Sequence, residues 1–131
     1  MNVNIVASVD VPLIENHQNI TIDNLDNIPA NVCTSLVLNE TLGYLTNDQV
    51  QLLLGKVRHQ GVVSINCPDA METATQFCWG NIDLAAFSML TANRRQQHTL
   101  LSVRTILEQN GYTIETATTN NLAFYIRAKR P

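Results

Sequence analysis

Two polar clusters follow apolar runs in this chain, and both contain residue types that bind or activate a polar ligand. Asn39 and Glu40 come directly after Cys33-Thr-Ser-Leu-Val-Leu38. An asparagine there can hydrogen-bond an incoming amine, and a glutamate can orient that amine or take its proton as a base. The same pair would equally serve as the N-cap of the short ETLGYL turn. Asn66, Cys67, Pro68 and Asp69 end the next apolar run, Gly61-Val-Val-Ser-Ile-Asn66. If both runs are neighbouring parallel strands, these residues face Asn39 and Glu40 across a cleft, because open α/β sheets bind ligands beyond the carboxyl ends of their strands. Asp69 reads most simply as a helix N-cap.

The amino-terminal part offers Asp10, then Asp23, Asn24 and Asp26. A carboxylate supplies two acceptor oxygens for hydroxyl or amine donors. A solvated loop aspartate, or an Asx-turn built for local reasons, accounts for the same residues. His17, His59 and His98 have no metal-ligand spacing with Cys33, Cys67 and Cys78, so no metal site is expected. His98 is expected at the surface, and Cys78-Trp79 in the core. Arg94-Arg95 and the group Arg127, Lys129 and Arg130 read as solvated charge. Neither a nucleophile triad nor a glycine loop for phosphate is visible.

The elements that must position these residues are legible from pattern. Short strands are expected at 3–8 and 19–23, with a turn-rich loop at 24–31. The run 33–38 has the apolar character of a buried parallel strand. Thr46 and Gln49 form a capping box, and Val50, Leu53, Leu54 and Val57 then recur at helical spacing. Gly61 is expected to end that unit and open a strand over 61–66, which completes a βαβ unit. Two helical pieces, 69–79 and 82–92, are split by Gly80-Asn81. A helix over 100–110 carries Leu100, Leu101, Ile106 and Leu107 on its apolar side, and Gly111 closes it. The strands 112–118 and 122–128 form a terminal hairpin across Thr119-Asn120-Asn121. The implied fold is α/β: a mostly parallel sheet flanked by helices, with a C-terminal antiparallel β-hairpin.

Composition sets the frame. The 131 residues are expected to form a single domain, with 45% hydrophobic and 15% charged residues and a net charge of −3. That charge argues against a nucleic-acid partner. The odd, scattered cysteines fit a reducing compartment, and with neither a membrane span nor a signal peptide in view the expectation is a cytoplasmic protein.

From about residue 20 onward the chain resembles the later part of a class I S-adenosylmethionine-dependent methyltransferase domain. Four segments carry the likeness: DNLDNIP (23–29), CTSLVLNETLGYLTNDQVQLLLGKVR (33–58), HQGVVSINCPD (59–69) and HTLLSVRTILEQNGYTIETATTNNLAFYIRAKRP (98–131). They are similar to the acidic segment before the family's fourth strand, that strand with its loop and helix, the fifth strand, and the last helix with its closing hairpin. The resemblance implies a reduced Rossmann-like methyltransferase fold. It implies cofactor contacts at Asp10 (ribose) and at Asp23, Asn24 and Asp26 (adenine), with Asn39 and Glu40 on the substrate side. It departs from the family at one point. The family's first strand runs into a glycine-rich loop that lets the backbone approach the cofactor. Here Ala7-Ser-Val-Asp-Val-Pro12 follows the first strand, and no glycine precedes Gly43. Only about ten residues separate the first two strands, the practical minimum for a crossover that includes a helix. The expectation is a degenerate member acting as a structural or interaction module, with a homo-oligomeric or protein partner recruited by the exposed sheet edge. The alternative is an active, minimal methyltransferase.

Overall fold

A computed structural model describes residues 1–7, 14–92 and 94–131. In chain order the elements are β1 (Asn2–Val6), β2 (Gln18–Thr21), β3 (Cys33–Asn39), α1 (Asn47–Leu54), β4 (Val57–Pro68), α2 (Ala70–Cys78), α3 (Leu84–Thr91), α4 (Leu100–Gln109), β5 (Thr113–Asn120) and β6 (Ala123–Lys129). Short 3-10 segments occupy Ile22–Asn27 and Leu42–Tyr44. The strands form one six-stranded sheet in the order β2-β1-β3-β4-β6-β5. β2, β1, β3 and β4 run parallel, while β6 lies antiparallel between β4 and β5. The architecture is therefore the expected one, a largely parallel α/β sheet with an antiparallel end.

Register explains the division of the sheet into two unlike faces. Side chains alternate along each strand, so residues in register share a face. Val3, Leu36, Val63 and Ala128 lie in one row, and Ile5, Leu38, Ile65 and Ile126 in the next. All eight are buried. Against these rows pack Val50, Leu53 and Leu54 of α1 and Val103 and Leu107 of α4, in one continuous core. The alternate rows, Asn4–Val37–Ser64–Arg127 and Asn39–Asn66–Tyr125, form the second face and are far more polar. No helix among the described residues is long and apolar enough to cross a membrane.

Helix ends follow their sequence signals closely. Thr46 and Gln49 make the reciprocal capping box at α1: Thr46 Oγ1 accepts from the Gln49 amide at 3.2 Å, and Gln49 Oε1 from the Thr46 amide at 2.9 Å. Gly80-Asn81 separates α2 from α3 as expected, with Gly80 at φ +77°. The Tyr112 hydroxyl donates to the Leu54 carbonyl at 2.6 Å, which ties the exit of α4 to the end of α1. Burial pushes this phenol up to about 12.

Two readings from pattern are corrected here. Leu101 points outward, whereas Leu107 is buried as expected, Leu100 and Ile106 pack against the core, and Val103 joins them. Val103 lies four residues before Leu107 and so shares its face of the helix. Gly61 does not end the helical unit, because α1 stops at Leu54 and β4 already starts at Val57. Gly61 lies inside the strand, opposite the register shift between Cys33 and Ser35. A Cβ there would sit 2.7 Å from the Cys33 carbonyl and 2.9 Å from the Arg58 carbonyl. Glycine is required by this close approach of backbones. Gly61→Ala is expected to lower stability by about 1–3 kcal/mol, the usual cost of forced overpacking. Urea unfolding should show a lower midpoint with an unchanged slope.

Candidate functional site

The sheet order reverses direction between β1 and β3, since the chain leaves β1 for β2 on one side and returns to β3 on the other. A ligand of an open α/β sheet is expected outside the carboxyl ends of the strands at such a point. Here the carboxyl end of β3 delivers Asn39, and the adjacent ends of β4 and β6 deliver Asn66 and Tyr125 in register with it. With Val37, Leu38 and Ser64 these residues line a cleft of about 200 Å³ on the polar face of the sheet. Two amides and a phenol set side by side can hold a small hydrogen-bonding group.

The turn after β3 follows directly on the cleft residue Asn39. Glu40 takes a left-handed conformation, φ +58°, and its amide donates to the Asn66 carbonyl at 2.7 Å. That geometry swings the exposed Glu40 side chain away from the regular alternation. Thr41 follows, fully buried, with its hydroxyl donating to the Ile5 carbonyl at 2.7 Å. This bond joins the end of β1 to the loop after β3 at the reversal point itself. Asn39 and Glu40 do not cap the 3-10 turn. Thr41 occupies the cap position, and its side chain is engaged by β1 instead.

The remaining sequence-predicted residues are dispersed. Asp23, Asn24 and Asp26 lie on the 3-10 segment after β2, exposed, with Asn24 Nδ2 donating to Thr21 Oγ1 at 2.8 Å. Asp23 and Asp26 line a separate cleft of about 300 Å³ against Gln49 and Leu52, which shares no lining residue with the first. Asp10 lies outside the described residues. Asn66 does face Asn39 as expected, but Asp69 does not. It is buried, where Oδ1 accepts from the Glu72 amide at 3.0 Å and Oδ2 from the Leu100 amide at 3.1 Å. One carboxylate thus caps α2 and α4 together.

Pattern reading misplaced four other side chains. His98 is buried, with Nε2 lacking a partner, because its own carbonyl is held by the Ala70 amide at 2.8 Å and the chain enters α4 beneath α2. Cys78 and Trp79 are exposed, since they leave α2 on a projecting turn. Arg94 is not simply solvated. Its guanidinium lies over the Tyr44 ring, 4.5 Å from the centroid, and bonds the Tyr44 hydroxyl. The Cys67 thiol is pushed up to about 12, chiefly by burial, so it is no nucleophile at neutral pH. Among the described residues no group of three or more His, Cys, Asp or Glu side chains is placed to hold a metal ion.

A larger cleft, about 510 Å³, lies between α2 and the β5–β6 turn. Its polar side chains already pair with one another: Gln76 Nε2 with Glu72 Oε1 at 2.8 Å, and Asn81 Nδ2 with Gln76 Oε1 at 2.6 Å. The smaller cleft keeps its polar groups for a ligand and is the better candidate.

No protein-family model matches the sequence, and no curated protein matches it. Solved structures do. The chain is similar to an S-adenosylmethionine-dependent methyltransferase from Mesorhizobium loti, with TM-score 0.65 and 12% identity over 98% of this chain and 80% of that one. It is similar to a SAM-dependent methyltransferase from Archaeoglobus fulgidus, with TM-score 0.59 and 12% identity over 96% of this chain and 74% of that one. A third is an O-methyltransferase family protein from Burkholderia thailandensis, with TM-score 0.59 and 12% identity over 86% of this chain. The chain spans 36% of that protein's length. The fold is methyltransferase-like.

Two outcomes follow from the buried groups at the end of β4. Asp69→Ala removes two helix caps at once, and is expected to cost about 2–3 kcal/mol, read by denaturant unfolding. Burial lowers the His98 pKa from 6.5. Below that value the unfolded chain binds a proton that the folded chain refuses, so stability falls as pH drops through 6.5. His98→Gln should flatten this acid slope below about pH 6.5.

Proposed function

We propose that this chain is a methyltransferase-fold domain that acts as a structural or interaction module without using S-adenosylmethionine. The observation that carries the reading is the Thr41–Ile5 bond, a buried clasp across the sheet's reversal point. Two further observations support it. No glycine precedes Gly43, so the stretch that follows β1 in sequence offers no glycine for close approach of a cofactor. The cleft beside Asn39 is about 200 Å³, below the roughly 300 Å³ at which small-molecule sites begin. In this reading Asp23, Asn24 and Asp26 are solvated turn residues, and the partner is protein, either another copy or a different chain. Free thiols at Cys33, Cys67 and Cys78 fit a reducing, cytoplasmic setting.

A second reading is an active, minimal methyltransferase. It is favoured by the methyltransferase neighbours and by the alignment of Asn39, Asn66 and Tyr125 at the strand ends. Asn39 would then hold the substrate's nucleophile and Glu40 its proton, with catalysis coming from orientation. Asp10 and the acidic segment 23–26 would contact the cofactor. Titration calorimetry with S-adenosylmethionine separates the two. The module reading predicts no heat of binding at millimolar ligand. Micromolar binding that Asn39→Ala weakens would establish the enzyme.

A further inference from the structure

We propose that the α2–α3 hairpin is a self-association surface that pairs two copies of this chain through four helices. α3, Leu-Ala-Ala-Phe-Ser-Met-Leu-Thr, is the most apolar helix of the protein, yet none of its residues is buried. Met71, Trp79, Leu84 and Met89 are 68%, 71%, 66% and 79% exposed, and Phe77 is exposed beside them. The two helices contact each other through the Phe77 and Phe87 rings, 4.7 Å between centroids. That contact holds the hairpin together and leaves its outer side chains unpaired.

Area and charge point to a second copy as the occupant. At about 200 Å² for a large side chain, the exposed parts of these five residues amount to roughly 600 Å². Spread over both helices, that area is most of the roughly 800 Å² that each partner brings to a standard interface. Half-buried Ile82 and Leu90 and the polar rim supply the remainder. Residues 70–92 carry two charges, Glu72 and Asp83, and no Lys or Arg. An anionic lipid surface calls for a basic rim around an apolar helix, and none is present here. A nearly uncharged apolar face meets its own copy without repulsion, and a two-fold axis closes the assembly. The helices contribute little to the chain's own core, so their apolar composition finds its use between chains. The surface lies away from the Asn39 cleft and is independent of whether that cleft binds a cofactor.

Cys78 makes the interface measurable, because it is the exposed cysteine while Cys33 and Cys67 are buried. Sedimentation equilibrium across a hundredfold range of protein concentration should show a mass rising from 14.6 kDa toward twice that value. Maleimide labelling of Cys78 should slow in parallel. Leu84→Glu with Met89→Glu should remain at the monomer mass and label quickly throughout, with far-UV circular dichroism and melting unchanged because neither side chain is in the core. The single variant Trp79→Ser should weaken association at least tenfold. A mass of 14.6 kDa at every concentration overturns the proposal. So does a dimer that persists undiminished in the double glutamate variant.

Discussion

The carboxylate of Asp69 is the hinge of this structure. It stands at the end of β4, where the parallel part of the sheet hands over to helices, and it accepts amides from the first turns of both α2 and α4. Removing a charge from water is costly unless the protein replaces the lost hydrogen bonds. Two helix N-termini do so here, each with the positive end of its dipole directed at the carboxylate. The consequence is geometric. α4 is brought down onto the sheet, where Val103 and Leu107 join the core, while α2 departs from the same point and carries the α2–α3 hairpin outward. His98 is buried at this junction, its carbonyl held by the Ala70 amide.

A second constraint acts on the same edge of the sheet, at the carboxyl end of β3. A parallel sheet ordinarily has both faces covered, and its strand ends open onto a crevice where the order reverses. In this chain the main core occupies one face, and the Thr41 hydroxyl ties the end of β1 to the loop after β3. Gly43 keeps the neighbouring turn tight. Its carbonyl accepts from the Arg95 amide at 2.7 Å, and a Cβ there would lie 2.7 Å from the Arg94 side chain. The polar residues that sequence reasoning placed at this edge are therefore present and partly aligned, but around a shallow cleft.

Much of this was legible from residues alone, and the reasons are local. The Thr46–Gln49 box and the Gly80-Asn81 break are short-range signals that sit where expected, while the hairpin turn falls at Asn121-Leu122, with Thr119 and Asn120 still paired in β5. The apolar run 61–66 predicted a strand, and the row Ile5–Leu38–Ile65–Ile126 shows why its inward face is apolar. What pattern could not supply was tertiary context. Burial of His98 depends on a carboxylate capping two helices distant in sequence. The close approach at Gly61 depends on a register shift in the neighbouring strand. Trp79 and Cys78 look like core residues because apolar composition does not say which chain will cover them. The left-handed Glu40 was equally hidden, since its conformation follows from the Asn66 carbonyl that holds it.

The fold is methyltransferase-like, and we propose that the carboxyl edge of its sheet does not take a nucleoside cofactor. The most direct test is the two-dimensional amide spectrum of isotopically labelled protein, recorded with and without millimolar S-adenosylhomocysteine. The account predicts that the amides of Asn39, Glu40, Thr41 and Asn66 stay where they are. A saturable shift confined to those residues would contradict it.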